Sequence, residues 1–429
     1  MNPANTNNRA NGFSVRCVKD LQHMRTSDNQ QLILDLFRAY FDARKNKRQT
    51  ANALAFEADY ESKLFALYDD IVNRRYEIGK SICFMVKKPV KREVFAADFR
   101  DRIVHHLIFN AINPIFEKDF IKDSYSCRVG KGTSYGIKRV DHFIRSCSEN
   151  YQKECWILKL DISGYFMSMN RDILYAKIEK KLQHHYRGAV SLIGDVSSKK
   201  AELDLLLYLI KKVVYNDPTG NCLVKGSRQD WVGMPKSKSL FFAAAGTGFP
   251  IGNLTSQLFG NIYLDDFDHF VKAGMNIRYY GRYVDDMVFM HADRDRLKDA
   301  VLSVGRYLEK ELGLKLHPKK KYLQYFHKGV SFLGTFIKPG RIYIGKRTKA
   351  NFYRTMRVYN GMMAGKSVLG KEEVGELLTR VNSYLGLMMH YETFRLRKRM
   401  IGFLDNAFLK YVDIAENFEK ILICQEGAV

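Results

Sequence analysis

The sequence predicts an α+β protein. Near its start Ile33, Leu36, Phe37, Tyr40 and Phe41 follow i, i+3, i+4, i+7, i+8 spacing, and Leu64, Leu67, Tyr68, Ile71 and Val72 repeat it, which is the stripe of an amphipathic helix. In the middle, short runs such as Cys155-Trp-Ile-Leu-Lys-Leu160 have the length and composition of buried strands. Residues 371–424 read as helical again.

The chain opens on an Asn-rich polar stretch, residues 1–12, expected to be a disordered tail and not a signal peptide. The two amphipathic helices follow, joined through basic residues 44–48, and serve to pack a core. Phe84-Met-Val-Lys-Lys-Pro89 and residues 91–102 then interleave apolar strands with Lys and Arg. Such a hairpin suits closure over a triphosphate or a template backbone, and equally a solvated basic face. Residues 103–116 read as a helix, and residues 123–133 as a Gly-punctuated basic loop without Walker A spacing.

The strand ending at Leu160 runs into Asp161, a carboxylate that is costly there unless paired or metal-bound. Asn170 is placed to cap a helix containing Ile173, Leu174 and Ile178, and helical sequence continues to about Tyr215. Residues 216–238, punctuated by Pro218, Gly220, Gly226, Gly233 and Pro235, read as one long polar loop. In Gly248-Phe-Pro-Ile-Gly-Asn-Leu-Thr-Ser-Gln257, Gly252 permits close approach of a ligand to the backbone, and the following residues suit a helix N-terminus. A helix over residues 293–312, the basic His317-Pro-Lys-Lys-Lys321, a strand in Val330-Ser-Phe-Leu-Gly334 and a basic, aromatic stretch over residues 341–363 lead to the last helical region, with its run Arg395, Arg397, Lys398 and Arg399.

One stretch concentrates the chemistry. Residues 278–290, Arg-Tyr-Tyr-Gly-Arg-Tyr-Val-Asp-Asp-Met-Val-Phe-Met, predict a hairpin with Asp285 and Asp286 at its tight turn. Adjacent carboxylates repel, and a divalent metal is their usual partner. Taken alone, the pair also fits an ordinary Asp-rich turn.

Composition narrows the partner. Lys and Arg number 70 against 46 Asp and Glu, a net charge of +24 with a pI near 9.6. That balance points to a polyanion, nucleic acid first. No long uncharged apolar run suggests a membrane. The seven cysteines, at 17, 83, 127, 147, 155, 222 and 424, form no Cys-x-x-Cys pair and are odd in number, so the expectation is a cytoplasmic protein with free thiols. If the strands ending at Asp161 and flanking Asp285 pair in one sheet, three carboxylates meet, enough for two divalent ions about 3.5–4 Å apart and hence for nucleotidyl transfer.

At this point the sequence resembles the reverse transcriptases, from about Leu64 to Met400 and in the order of that family's motifs. Tyr283-Val-Asp-Asp286 is similar to their Tyr-x-Asp-Asp box, and Asp161-Ile-Ser-Gly-Tyr-Phe166 to their first catalytic motif. The resemblance implies a right-hand polymerase, with fingers, a palm built on an antiparallel sheet, a helical thumb and here an N-terminal helical extension. The expected boundaries are residues 1–80 for tail and extension, 81–340 for fingers and palm, and 341–429 for thumb and C-terminal region. It implies catalytic Asp161, Asp285 and Asp286 holding two Mg²⁺ (or Mn²⁺), with Ile162 in the metal shell. It places Lys88, Arg92, Arg100, Phe166, Ile251, Gly252 and Lys320 around the incoming nucleotide. Phe166 would exclude a ribose 2′-hydroxyl, and Ile251 stands where many relatives carry Gln. Phe332, Leu333 and Gly334 match the primer grip, with Arg128 and Lys131 as further primer or template contacts, and Val381-Asn-Ser-Tyr-Leu-Gly386 resembles the thumb.

Ile251-Gly-Asn-Leu-Thr-Ser-Gln257 is similar to the form in diversity-generating retroelement enzymes. Antiviral defence reverse transcriptases with a dedicated non-coding RNA are the alternative, and a non-catalytic RNA-binding scaffold is a third reading. Implied partners are an RNA template, its cDNA product, dNTPs, a structured RNA, and a small accessory protein or second reverse transcriptase. The expected RNA path follows residues 341–357 and 395–399.

Overall fold

A computed structural model describes residues 27–45, 49–87, 90–190, 196–364 and 370–424. The expected tail over residues 1–12, Cys17 and the expected triphosphate contact Lys88 lie outside them. Described strands are, in chain order, β1 (Ser81–Val86), β2 (Arg92–Ala96), β3 (Trp156–Asp161), β4 (Cys222–Lys225), β5 (Tyr279–Tyr283), β6 (Asp286–His291), β7 (Tyr322–Tyr325), β8 (Val330–Phe332), β9 (Thr335–Lys338), β10 (Arg341–Ile344), β11 (Val412–Ile414) and β12 (Ile421–Ile423). They belong to two compact units. One draws on Met1–Ile121, Ile162–Phe270 and Val304–His317, the other on Lys122–Asp161, Val271–Ser303 and Pro318–Val429. Among the described residues no helix is long and apolar enough to cross a membrane.

In the first unit, helices Ser27–Arg44 and Tyr60–Val72 carry the two predicted stripes. Ile33, Leu36, Phe37 and Tyr40 are buried, as are Leu64, Leu67, Tyr68 and Ile71. Tyr40 stacks on Tyr60 with ring centroids 4.9 Å apart. A short helix not expected from the sequence, Ala51–Glu57, buries Ala53 and Phe56. Helix Phe99–Glu117 starts four residues before the predicted position (103 − 99 = 4), because Asp98 accepts from the Arg100 amide at 3.0 Å and caps it. Asn170 likewise accepts from the Ile173 amide, where helix Arg171–Val190 begins.

The sheet of this unit runs β2-β1-β4. β1 and β2 are the predicted basic hairpin, antiparallel, with Cys83 opposite Phe95. β4 corrects the expectation of a single loop over residues 216–238: Cys222–Lys225 pairs parallel with β1. Parallel pairing depends on a partner far away in sequence, so local composition does not disclose it. The rest of the segment and the residues after it are fastened largely through one carboxylate. Glu93 on β2, only 2% exposed, accepts from Trp231 Nε1 at 2.7 Å, Ser239 Oγ at 2.8 Å and the Leu240 amide at 2.7 Å.

In the second unit the sheet runs β5-β6-β3-β7, antiparallel throughout. Ile157, Val288 and Met290 share a core with Ile137, Val140, Phe143 and Ile144 of helix Thr133–Cys147. A second sheet runs β10-β9-β8. Helices Lys346–Ala364, Lys371–Met389 and Phe394–Ile401 close around Phe352, Met356, Leu377, Val381, Leu385 and Met400. The helical expectation for residues 371–424 fails at its end, where β11 and β12 form a hairpin. Val412 and Ile421 turn into the helical core, and that burial overrides the weak local signal. Within the basic run, Arg397 is buried and donates to the Phe418 carbonyl at 3.1 Å, whereas Arg395, Lys398 and Arg399 are exposed.

Replacing Glu93 by Ala strands two buried donors and one part-buried donor. Each unsatisfied group costs about 1–3 kcal/mol. We expect Glu93→Ala to lower stability by roughly 2–5 kcal/mol and to open residues 226–242 to protease, with Glu93→Gln intermediate. Denaturant unfolding and limited proteolysis measure both, and a wild-type cleavage pattern in Glu93→Ala would refute the anchoring role.

Candidate active site

The predicted hairpin forms with its acids where expected. Tyr283 pairs with Asp286 across β5 and β6, which leaves Val284 and Asp285 as the turn. Val284 has φ +56°, the left-handed region, which a β-branched residue enters at a cost of about 1–3 kcal/mol. On the neighbouring strand Asp161 lies directly opposite Asp286. Side chains alternate along a strand, so Asp161 and Asp286 continue the row that further in consists of Ile157, Val288 and Met290. The acids are the polar end of an apolar stripe.

Two lysines balance them. β3 also pairs with β7, Lys159 opposite Tyr322. Two residues beyond that pair, Lys320 donates to Asp161 Oδ2 at 2.7 Å. Lys159, diagonal to Asp286, lies 3.0 Å from its Oδ2. Asp286 Oδ1 is buried without a hydrogen-bond partner. Burial first, and then the charges of Asp161 and Asp286, push the Asp285 carboxyl up to about 6, against the pull of its own backbone amide and Lys320. Burial also raises Asp286, with Lys159 opposing. Asp161, Asp286 and Lys159 line a cleft of about 290 Å³ that also includes Lys319, Lys320 and Lys321. Such a cleft suits an anion such as pyrophosphate.

Oxygen donors of this kind fit Mg²⁺ or Mn²⁺, and an unpartnered buried carboxylate oxygen is the observation that favours a cation there. Among the described residues no three His, Cys, Asp or Glu side chains already converge as a metal-ligating group. Asp161 and Asp286 face ammonium groups instead, so a metal would exchange with them. Ile162 brings no ligand through its side chain, which is apolar and buried; its main chain bridges Leu316.

The other predicted residues divide. Phe332 is buried and lies 5.8 Å from Lys159 Nζ, which also donates to the Ser331 carbonyl at 3.1 Å. Leu333 and Gly334 form the β8–β9 turn with φ of +46° and +82°. That turn is therefore tied to the acids through Lys159, a residue the sequence reading passed over although it stands two places before Asp161 on the same strand face. Arg128 and Lys131 curl back on their own loop, donating to the carbonyls of Ser124 and Lys122.

In the first unit, Arg92 is exposed at the start of β2. The Arg100 guanidinium, expected at the nucleotide, bonds Asp70 at 2.6 Å and the Glu77 carbonyl at 3.2 Å and lies over the Tyr76 ring, so it ties helix Phe99–Glu117 to the chain before β1. Gly252 also answers a constraint of the fold itself. At φ +131° a Cβ there would meet Val94 Cγ1 at 2.8 Å and the Phe95 carbonyl oxygen at 3.0 Å. Ile251 accepts from the Phe95 amide and, like Phe166, packs against Cys83, Phe95, Met167 and Leu240.

Fold and site together define a mixed α+β protein with a carboxylate trio on one sheet. No family model matches the chain. Protein YkfC of Escherichia coli (strain K12) is 24% identical over 317 residues, 66% of this chain and 73% of that protein. Among solved structures the chain is similar to telomerase from Candida albicans in complex with the TWJ fragment of telomeric RNA, with TM-score 0.44, 11% identity and 82% of this chain covered. It is also similar to apo telomerase from Candida tropicalis, with TM-score 0.44, 12% identity and 77% covered. The chain spans 60% and 63% of those two structures.

If Asp285 ligates a metal its carboxylate must be ionised, and burial with the neighbouring acids pushes that carboxyl up to about 6. Proton and metal therefore compete only below that value. Metal affinity should be flat at neutral pH and fall by up to roughly tenfold per unit as pH drops through the titration of Asp285. Mn²⁺ titrations followed by electron paramagnetic resonance test this, and a constant affinity down to about pH 5 would contradict it.

Proposed function

We propose that the protein is an RNA-directed DNA polymerase acting by two-metal nucleotidyl transfer. The observation that carries the reading is the register of Asp161 against Asp286, with Asp285 on the adjoining turn. Asp161, Asp285 and Asp286 would hold two Mg²⁺. Two ions held there would supply a lowered pKa for the primer 3′-hydroxyl and a counter-charge for the leaving pyrophosphate. Lys320, relieved of Asp161, is at hand for the pyrophosphate charge, and Lys159 keeps Asp286 oriented while holding the β8–β9 turn. Phe166 supplies the bulk that discriminates against a 2′-hydroxyl. The charge of +24 supports a nucleic-acid partner, and exposed Arg395, Lys398 and Arg399 are suited to a phosphate backbone.

We further propose a bacterial retroelement role of the diversity-generating type, supported by Ile251-Gly-Asn-Leu-Thr-Ser-Gln257 and by an apolar Ile251 that cannot hydrogen-bond an incoming sugar. A template repeat with a variable target gene beside this gene would support it; a dedicated non-coding RNA without them would favour antiviral defence.

Asp285→Ala and Asp286→Ala should each abolish Mg²⁺-dependent cDNA synthesis on an RNA template and leave RNA affinity unchanged, because the basic surface supplies it. Primer extension and filter binding separate the two, and synthesis by either variant would sink the mechanism. A wild type that binds RNA without extending a primer would be a scaffold.

Phe166→Ala should admit ribonucleotides, lowering dNTP over rNTP selectivity by about tenfold or more. Single-nucleotide incorporation kinetics give the ratio; if it does not move, Phe166 is a packing residue only.

A further inference from the structure

Beneath the Tyr-Val-Asp-Asp turn lies a charged side chain that the chemistry above does not use. Arg282, near the end of β5, is 0% exposed. A guanidinium cannot shed its proton, and desolvating it is costly unless its donors are met. Its Nη1 donates to the Val284 carbonyl at 3.0 Å and its Nη2 to the Ser124 hydroxyl at 3.3 Å.

The base of this side chain is fixed before the side chain begins. The Arg282 amide donates to the Asp123 carbonyl, and the Tyr125 amide donates to the Arg282 carbonyl, both at 2.9 Å. Gly281 admits the rail closely: a Cβ there would fall 2.1 Å from the Tyr125 hydroxyl oxygen. Asp123 is itself buried and bound by Arg139 at 2.7 Å and Lys272 at 3.1 Å. Arg282 thus reaches the turn from a doubly fastened foundation.

What it grips matters. The Val284 carbonyl and the Asp285 amide belong to one planar peptide, so fixing the oxygen fixes the N–H. That N–H belongs to Asp285, so fixing the peptide fixes the backbone from which the Asp285 carboxylate springs, one residue before Asp286. Val284 stands in the left-handed region, from which a β-branched residue tends to escape unless it is held.

We propose that Arg282 is a positioning residue for the metal-binding carboxylates, acting through the Val284–Asp285 peptide to keep the Asp285 carboxylate beside Asp161 and Asp286. The proposal rests on the reading of those acids as metal ligands. It predicts a role in metal affinity that a space-filling core residue lacks.

The experiment uses the full chain and free Mn²⁺, with binding followed by electron paramagnetic resonance and the fold checked by circular dichroism. Groups that orient metal ligands from outside change affinity by about 10–100-fold when lost. Arg282→Met should weaken Mn²⁺ binding by that factor. Arg282→Lys, which keeps the charge but not the fork, should weaken it less. Adding Val284→Gly to Arg282→Met should recover part of the loss, because glycine holds the left-handed turn unaided. Wild-type affinity in folded Arg282→Met overturns the proposal. If that variant does not fold, wild-type affinity in Arg282→Lys overturns it. Primer extension separates this from the polymerase reading. A wild type that binds Mn²⁺ but does not extend, with affinity still dependent on Arg282, overturns the polymerase and upholds Arg282. A wild type that extends, with variants of unchanged affinity, overturns Arg282 alone.

Discussion

Asp161 and Asp286 sit directly opposite each other on neighbouring strands, and like charges so placed repel. The register that enforces this is not set by the acids. It is set further along the same strands by Ile157, Val288 and Met290, whose packing against helix Thr133–Cys147 a slip of one residue would exchange for that of the differently shaped residues on the other buried face. Hydrophobic burial therefore does the work of holding two carboxylates where electrostatics alone would part them. Lys159 and Lys320 then reduce the repulsion without removing either acid from the cleft.

A second constraint of the same type acts in the first unit. Glu93 is a buried carboxylate with three donors, and it converts a glycine- and proline-punctuated segment into fixed structure. In both places a charged group lies where it is costly, and its partners come from distant parts of the chain. Glu93 is 138 residues from Trp231, and Lys320 is 159 from Asp161. Such groups specify one arrangement among many compact ones.

That separation explains what could be read from the sequence. The helical stripes, the Asn170 cap and the Asp285–Asp286 hairpin are written within a turn or two of chain, and the structure has them where the residues said. The order of the acids along the chain was legible, although their register was not. The strand Cys222–Lys225, the β11–β12 hairpin and the true neighbours of Gly252 were missed because each depends on a segment remote in sequence or on a core formed later. The bond from Arg100 to Asp70 was not legible, because a basic residue in a basic stretch looks the same in sequence whether it faces a phosphate or a carboxylate. Lys159 and Arg282 carried a signal, a cation on a strand otherwise apolar or aromatic, that a strand-by-strand reading passes over.

The lysines at the acids have one more consequence. Metal sites whose ligands have no other counter-charge tend to make folding depend on the ion. Here Lys159 and Lys320 are tethered counter-ions that arrive with the chain itself, so the sheet closes with its charges already largely compensated. If the acids hold the ions proposed for them, assembly of the fold would not have to wait for divalent cations. On the proposed reading, a newly made chain would mature in a metal-poor environment and take up its ions afterwards, by exchange at a finished surface.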